Sequence, residues 1–460
     1  MNDLPDRLLH RLRAALGADA VLTGEPVRAR PVSGRVSAGC DALTLVRPRT
    51  TAEVALTLSL CHAAGQPVVP RAGMTGLVNG ALAGPREIAL SLERLDRIEE
   101  LDAASSTLTV QAGVTLQAVQ EHAAAHGLLF ALDLGARGSA TIGGAVSTNA
   151  GGNSVIRYGM MRDLVLGLEA VLADGTVVSS LTGVVKNNTG LDLKQLFIGT
   201  EGTLGVVTRA VLRLHPLPRA RRTALAALPD FDAVAGFLAH MRAESGGTLA
   251  AFEAMWAEYY ELATRPAGRL RPPLPAGATF YVLVEWDTAD EPDNGQRFET
   301  ALSVSLDKGL IGNAVVANSG AERTALWAIR DDVSEHLRPL GPHITYDISL
   351  PVPAMAAYVE TLARALPVRP VVFGHVGDGN LHVAVPAAAG AGSGAVEDLV
   401  YTPLAALGGS VSAEHGVGLD RKPYLHLTRS DAERRVMALV KRALDPTDIL
   451  NPGKVLDAPR

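Results

Sequence analysis

The amino-acid sequence predicts an α+β protein built from more than one domain. The chain has 460 residues, roughly three times the length of an average domain. Its first half alternates short apolar strands with helices, and glycine-rich loops follow several of these strands. Its second half contains a strand of alternating pattern over 279–287 and an amphipathic helix that begins near Ser319.

Composition and charge narrow the class of protein. Hydrophobic residues make up 47% of the chain, as in soluble globular proteins, and no apolar run approaches the roughly 18 residues of a membrane span. Residues 1–17 predict an amphipathic helix and lack the apolar region of a signal peptide. Cys40 and Cys61 form no metal-ligand pattern, so a cytoplasmic protein is expected. A net charge of −6 gives no reason to expect nucleic acid as a partner.

The first unit of the pattern is strand, helix, strand over residues 42–70. A short strand ends at Val46, and Thr50 with Glu53 has the spacing of a capping box that begins a helix. Gly65 ends that helix, and the next strand begins at Val68. This order predicts βα units in the first half of the chain.

Three glycine-rich loops follow, at 70–80, 135–153 and 199–208. Glycines directly after a buried strand expose backbone N–H groups and let a phosphate approach closely. Nearly every residue of the second loop is small, so the backbone itself is the expected binding surface for a large ligand. A glycine-rich loop without a ligand is the alternative. No G-x-G-x-x-G follows a strand, so a Rossmann dinucleotide site is not supported.

The three loops resemble the flavin-binding domain of the vanillyl-alcohol oxidase (PCMH-type) superfamily. The motifs are Pro70-Arg71-x-Gly73-x-Thr75-Gly76-Leu77, Ile142-Gly143-Gly144 with Asn149-Ala150-Gly151-Gly152, and Gly199-Thr200-Glu201-Gly202-Thr203-Leu204-Gly205. The resemblance implies FAD, bound non-covalently because Thr75 stands where covalent members carry histidine. It assigns the flavin to Arg71, Ala72, Gly73, Met74, Thr75, Gly76, Leu77, Gly138, Ser139, Ile142, Gly143, Ser147, Asn149, Ala150, Gly151, Gly152, Glu201, Gly205, Val206 and Asn451.

The helix after Ser319 carries the first polar candidate of the second half. Leu326, Ile329, Val333 and Leu337 form an apolar stripe, and Arg330 lies along its edge with Ser334 one turn on. An arginine beside a buried face and near a hydroxyl is suited to binding a carboxylate. The alternative is a snorkelling arginine with an ordinary salt bridge.

The stretch from Gly374 to His382 predicts a β-hairpin. Asp378-Gly379 lies between two apolar runs and is typical of a two-residue turn. That turn would place His375 directly opposite His382, where two imidazoles could bind one metal ion. Two histidines at a partly exposed hairpin end are the alternative. Glu414 is a candidate third ligand, and His415 beside it is a candidate base.

The second half is similar to the D-lactate, glycolate and D-2-hydroxyglutarate dehydrogenase group. The matching motifs are Gly374-His375-x-Gly377-Asp378-Gly379-Asn380-x-His382, Glu414-His415-Gly416-x-Gly418 and Asn451-Pro452-Gly453-Lys454. The resemblance implies that His375, His382 and Glu414 bind zinc or manganese and that His415 is the base. It also implies that Arg330, Ser334 and Asn380 contact the substrate. Thr345 and Ala384 depart from the D-2-hydroxyglutarate branch, which has lysine and asparagine there.

The function expected from these features is oxidation of a D-2-hydroxy acid to the 2-oxo acid, with hydride transfer to flavin N5. D-2-hydroxyglutarate is the first candidate substrate, and D-lactate or glycolate is the alternative. The electrons need an acceptor such as an electron-transfer flavoprotein or a quinone, and a homodimer is compatible with the sequence. A metal-dependent hydrolase is a rival that leaves the glycine-rich loops unexplained. A non-catalytic flavin-binding module is another, and it leaves the histidines unexplained.

The expected organisation has four segments. Residues 1–37 form an N-terminal helical segment, and 38–218 form a PCMH-type FAD-binding domain of two subdomains. Residues 219–425 form an α+β substrate (cap) domain that binds the metal. A C-terminal helical segment, 426–460, returns to the FAD domain.

Overall fold

The computed structural model describes residues 3–32, 39–264, 270–288, 292–390 and 392–457. The predicted boundary between residues 37 and 38 therefore lies outside the described residues. Within the described ranges, no helix has both the length and the apolar character needed to cross a membrane.

The chain divides into two compact units, and chain segments alternate between them. The first unit comprises Met1–Gly151, Met160–Leu217 and Glu414–Arg460. The second unit comprises Gly152–Gly159 and Pro218–Ala413.

The strands and helices have the following bounds. The strands are β1 (Val21–Leu22), β2 (Thr44–Val46), β3 (Val68–Arg71), β4 (Ile88–Ser91), β5 (Ile98–Asp102), β6 (Thr107–Gln111), β7 (Leu128–Leu129), β8 (Val165–Val171), β9 (Val177–Ser180), β10 (Val206–Arg213), β11 (His215–Pro216), β12 (Ala220–Leu228), β13 (Leu249–Trp256), β14 (Phe280–Thr288), β15 (Asn313–Val316), β16 (His343–Ser349), β17 (Val371–Gly374) and β18 (Asn380–Pro386). The helices are α1 (Asp3–Leu16), α2 (Glu25–Arg28), α3 (Thr51–Ala64), α4 (Leu116–Ala124), α5 (Ile142–Thr148), α6 (Val155–Tyr158), α7 (Met161–Leu164), α8 (Phe231–Glu244), α9 (Ala257–Thr264), α10 (Pro292–Asp307), α11 (Gly320–Asp331), α12 (Val333–His336), α13 (Met355–Ala365), α14 (Gly394–Leu407), α15 (Leu425–Thr428) and α16 (Asp431–Leu444).

The first unit contains two main sheets. One has the order β1-β2-β4-β3, in which β2, β4 and β3 run parallel, and the other is antiparallel with the order β5-β6-β10-β8-β9. Helices α1 and α3 bury apolar side chains in a core shared with both sheets. The predicted start and end of α3 are confirmed, because Thr50 accepts a hydrogen bond from the Glu53 N–H and Gly65 adopts the left-handed conformation.

The second unit is built on one antiparallel sheet of seven strands, in the order β15-β12-β14-β13-β17-β18-β16. Alternate residues of its strands face opposite sides. Phe252 and Trp286 contact Phe237 of α8 and Phe298 of α10 on one face. The other face packs against α9 and α11 in a core that includes Met255, Tyr259, Leu283, Leu326 and Trp327. The sheet is therefore covered on both sides, which explains why β13 and β14 are buried along their whole length.

The helix predicted after Ser319 begins where expected. Ser319 accepts a hydrogen bond from the Glu322 N–H and starts α11, and Leu326 and Ile329 are buried as predicted. The helix is shorter than the apolar stripe suggests. It ends at Asp331, and the conformation of Asp332 separates it from α12. Arg330 therefore lies in the last turn of α11.

Candidate active site

The predicted hairpin is present, but its turn and its register differ from the prediction. The ladder of β17 and β18 pairs Phe373, not His375, with His382. A 3-10 turn over Val376–Asp378 follows β17, and Gly379 closes it in the left-handed conformation. The predicted two-residue turn was wrong. The backbone carbonyl of His375 accepts hydrogen bonds from the N–H groups of Asp378 and Asn380, and the connection is therefore longer than two residues.

The two histidines nevertheless lie side by side. Their ring centroids are 5.5 Å apart and the ring planes are nearly perpendicular. His375 is 5% exposed and His382 is 7% exposed, so neither sits at an exposed hairpin end. Buried imidazoles need partners for their nitrogens, and a shared ion is one such partner.

Glu414 supplies a carboxylate to the same set. One ligand atom from each of His375, His382 and Glu414 lies within 4.8 Å of the other two. Two imidazoles and one carboxylate form a donor set that zinc uses in catalytic sites, with coordination positions left for a substrate. The three residues predicted as ligands therefore fit a divalent metal.

A buried carboxylate that the sequence did not predict contacts His375. Glu253, in the middle of β13, is 1% exposed, and its Oε1 lies 2.7 Å from Nδ1 of His375. Its Oε2 accepts a hydrogen bond of 2.8 Å from Nε of Arg330. Burial raises the pKa of Glu253, but electrostatic interactions and hydrogen bonds with His375 and Arg330 outweigh burial and hold that pKa below its ordinary value.

Asp347 takes a related position beside the second histidine. This fully buried residue of β16 has its Oδ1 3.9 Å from Nδ1 of His382. The same oxygen accepts a hydrogen bond of 2.8 Å from Nδ2 of Asn380. Asn380 is buried, and its Oδ1 has no hydrogen-bond partner among the described residues. A buried carbonyl oxygen of this kind is available to a ligand that donates a proton.

The remaining residues predicted to contact substrate are placed as follows. Arg330 is 4% exposed, and its Nη2 lies 3.3 Å from Nε2 of His375. Ser334 is exposed on α12. The two departures from the resembling branch, Thr345 and Ala384, are directly opposed in the ladder of β16 and β18. The two positions at which this chain departs from the resembling branch therefore lie side by side in the sheet.

His415 lies in a segment anchored within the first unit. Its Nδ1 is 3.4 Å from Nη2 of Arg421, which also donates through Nη1 to the carbonyl oxygen of Gly416. The carboxylate of Glu201 accepts hydrogen bonds from the N–H groups of Val417 and Gly418. The third glycine-rich loop, which contains Glu201, thus fixes the backbone just after the candidate base.

The first two glycine-rich loops touch through their backbones. A Cβ atom added to Gly73 would lie 1.9 Å from the carbonyl oxygen of Ser139, so only glycine fits there. Met74 beside it has a positive φ of 56°. The guanidinium of Arg71 donates to Sδ of Met74 within the loop, to Sγ of Cys40 and to the carbonyl oxygen of Pro31.

The third loop and the C-terminal segment complete this arrangement. The N–H of Glu201 donates to the carbonyl oxygen of Ser147 at the end of α5. Nδ2 of Asn451 donates to the carbonyl oxygens of Gly80 and Glu201, while its buried Oδ1 has no hydrogen-bond partner in the described part of the chain. Backbone groups and one orphaned amide oxygen thus converge, which fits a large polar cofactor such as FAD.

The other residues predicted to contact the flavin lie in the same three segments. After β3 come Ala72, Thr75, Gly76 and Leu77; before or within α5 come Gly138, Ile142 and Gly143; after α5 come Asn149, Ala150, Gly151 and Gly152; and at the start of β10 are Gly205 and Val206.

Comparisons with known proteins found matches for both halves of the chain. Residues 42–180 match a family described as "FAD binding domain", and residues 217–455 match "FAD linked oxidases, C-terminal domain". The chain is 41% identical over 417 residues to the mitochondrial D-2-hydroxyglutarate dehydrogenase of Bos taurus, covering 90% of this chain and 76% of the bovine protein. It is 35% identical over 425 residues to a putative mitochondrial D-lactate dehydrogenase of Schizosaccharomyces pombe, covering 89% and 81%.

A solved structure shows the same fold at low identity. The structure of p-cresol methylhydroxylase with substrate bound matches with a TM-score of 0.77 and 15% identity, covering 99% of this chain and 98% of that chain. This likeness confirms the predicted α+β class and the PCMH-type flavin-binding fold.

Proposed function

Because the chain belongs to the family of FAD-linked oxidases and is an FAD-dependent dehydrogenase, we propose that it oxidises a D-2-hydroxy acid with the help of a divalent metal. The observation that carries this proposal is the group formed by His375, His382 and Glu414. Such a donor set can hold the carboxylate and hydroxyl of a 2-hydroxy acid through one ion. The relatives support hydroxy-acid oxidation as the reaction.

The chemistry divides between cofactors and protein. When bound, FAD supplies the hydride acceptor, and a divalent metal supplies a Lewis acid for the substrate's oxygens. His415 takes the hydroxyl proton in this proposal.

D-2-hydroxyglutarate is the proposed substrate because of Arg330. Its hydrogen bonds among the described residues use Nε and Nη2, which leaves the N–H groups of Nη1 for a distal carboxylate. The bovine relative, at 41% identity, is named for this substrate.

D-lactate is the second candidate, and two observations favour it. The charge of Arg330 is already balanced by Glu253, and Thr345 stands where the resembling branch has a lysine. Both reduce the attraction for a second carboxylate. A charge-assisted hydrogen bond contributes about 1.5–3 kcal/mol, so the missing lysine corresponds to roughly ten- to hundredfold in affinity.

The decisive experiment is the reductive half-reaction without air. The purified flavoprotein is mixed with D-2-hydroxyglutarate, D-lactate, glycolate or L-2-hydroxyglutarate, and the flavin absorbance near 450 nm is followed. We expect the D-2-hydroxy acids to bleach the flavin and the L-enantiomer to leave it oxidised. This readout needs no knowledge of the electron acceptor. If no hydroxy acid bleaches the flavin, the proposal fails and the metal-dependent hydrolase becomes the favoured alternative.

The Thr345→Lys variant separates the two substrates. We expect it to lower the KM for D-2-hydroxyglutarate roughly ten- to hundredfold and to leave the KM for D-lactate near its original value. Thr345→Met, which has similar length but no charge, is the matched control. Equal changes with both substrates would show that this position does not face a distal carboxylate.

The mode of flavin attachment and the partners complete the proposal. Thr75 offers no imidazole for a covalent link, so FAD should leave the protein on acid precipitation. Yellow colour that stays with the precipitate would contradict this. In this proposal, the electrons pass to an electron-transfer flavoprotein or a quinone, and the protein works in the cytoplasm.

A further inference from the structure

We propose that Glu253 is a positioning residue that fixes His375 as a metal ligand, and that Arg330 serves as its counter-ion. This inference rests on the proposed function, because it concerns residues that contact a ligand of the proposed metal ion rather than the ion itself. It also gives Arg330 a role that is independent of the substrate's distal carboxylate.

Glu253 lies in an apolar part of the core, where a carboxylate needs a partner. Its neighbours on the same face of β13, Ala251 and Met255, belong to the apolar core that α9 and α11 cover. An unpaired carboxylate in such a place is very unfavourable. Both oxygens of Glu253 have a partner among the described residues, His375 through Oε1 and Arg330 through Oε2, and these contacts offset the cost of burying the carboxylate.

The contact with Glu253 decides which nitrogen of His375 carries the proton. A carboxylate accepts, so Nδ1 at 2.7 Å must be the N–H donor. The lone pair of the neutral ring then lies on Nε2, which faces Nη2 of Arg330 at 3.3 Å and is the nitrogen that would bind a metal ion in the proposed site. Carboxylates paired in this way with a ligating histidine fix its tautomer and its ring orientation.

Arg330 makes the charge of Glu253 necessary. Its Nη2 lies 3.3 Å from Nε2 of His375, so a full positive charge stands beside the atom that would bind a cation. Glu253 balances that charge locally. Replacing Glu253 by a neutral residue would leave the positive charge of Arg330 unbalanced. That charge would then repel a divalent ion at this distance.

The chain contains a matched pair that lacks the histidine. Glu285 of β14 is buried, and its two oxygens accept hydrogen bonds of 2.6 and 2.7 Å from Arg323, which lies two turns before Arg330 on α11. Trp327 and Thr223 also donate to it. Burial raises the pKa of Glu285, but the hydrogen bonds and charge of Arg323 outweigh burial and hold that pKa below its ordinary value. Comparing the two pairs separates a general role in stability from a role in the metal site.

The experiment compares the zinc affinity of the wild-type flavoprotein, Glu253→Gln and Glu285→Gln. Each protein is stripped with a chelator and titrated with zinc alone by calorimetry, and its FAD content and Tm are recorded. We expect Glu253→Gln to bind zinc 10- to 100-fold more weakly, the usual effect of losing such a partner. Glu285→Gln should lower Tm to a similar degree and bind zinc like the wild type. Glu253→Asp, which keeps the charge, should recover part of the affinity.

Three results would overturn the proposal, and they are distinguishable. Unchanged zinc affinity in Glu253→Gln would remove Glu253 from the metal site while leaving the proposed function intact. Equal losses in both variants would show a purely structural role. A wild-type protein that binds no zinc would defeat the metal part of the proposed function as well.

A second measurement covers the case in which Glu253→Gln does not fold. Nitrogen-15 NMR of the metal-free wild-type protein with labelled histidines reports the tautomer of each ring, and the signal of His375 is assigned by its loss in His375→Gln. A proton on Nδ1 is expected. A proton on Nε2 alone would contradict the proposal.

Discussion

The flavin loops of the first unit and the histidine pocket of the second unit are built in different ways. In the loops, backbone meets backbone, as where Gly73 lies against Ser139 and Glu201 against Ser147. In the pocket, charged side chains from separate strands and a helix meet each other, as in Glu253, Arg330 and His375. A site made of backbone leaves a motif in the sequence, whereas a site made of side-chain pairs depends on which strands become neighbours.

The largest effect is expected from removing the histidines. His375→Ala or His382→Ala should abolish measurable turnover, because metal polarisation of the substrate stabilises the transition state by several kcal/mol. Both variants should keep FAD, since the flavin loops are made of other segments. Turnover with D-2-hydroxy acids and the ratio of flavin to protein absorbance are measured together, and chelation of the wild type should reproduce the loss. Full activity after complete chelation would mean that the histidines are structural.

The next effect concerns the candidate base in the first unit. His415→Ala should reduce turnover about 10²–10⁴-fold, the usual contribution of general base catalysis. Zinc content should stay near that of the wild type, which distinguishes this variant from those at His375. Near-normal turnover would move the base to another group.

The contrast between the regions also explains what sequence could predict. The start of α3 at Thr50 and of α11 at Ser319 depends on side chains within four residues, and both were found. The hairpin was found with the wrong register, because the Asp-Gly rule is local and the turn is held by hydrogen bonds to His375.

Glu253 was missed because its partners are distant in sequence. His375 is 122 positions away, and the contact exists only because β13 pairs with β17. One signal was present: a single glutamate stands inside the apolar run Leu249–Trp256, where a charge requires a buried partner. The identity of that partner follows from strand order, which the sequence does not state.

A moderate effect is expected from filling a contact between two flavin loops. Gly73→Ala would press a methyl group against the carbonyl oxygen of Ser139, and such overpacking typically costs about 1–3 kcal/mol. FAD affinity should therefore fall by roughly ten- to hundredfold. Gly135→Ala is the control, because an added Cβ there meets nothing within 4 Å and its φ is not positive. Affinity is measured by titrating the apoprotein with FAD, and equal affinities would show that the loops yield to the methyl group.

The smallest expected effect compares helix starts in the two units. Thr50→Ala removes the N-cap of α3, and Ser319→Ala removes the N-cap of α11, so each should cost about 0.5–2 kcal/mol of stability. The chain supplies a separate probe for each unit. All three tryptophans, at 256, 286 and 327, lie in the second unit, whereas the flavin loops lie mainly in the first. In urea unfolding, Thr50→Ala should shift flavin release to lower urea, and Ser319→Ala should shift the tryptophan signal. If either variant shifts both signals equally, the two units unfold as one, and a local loss in one region is felt throughout the protein.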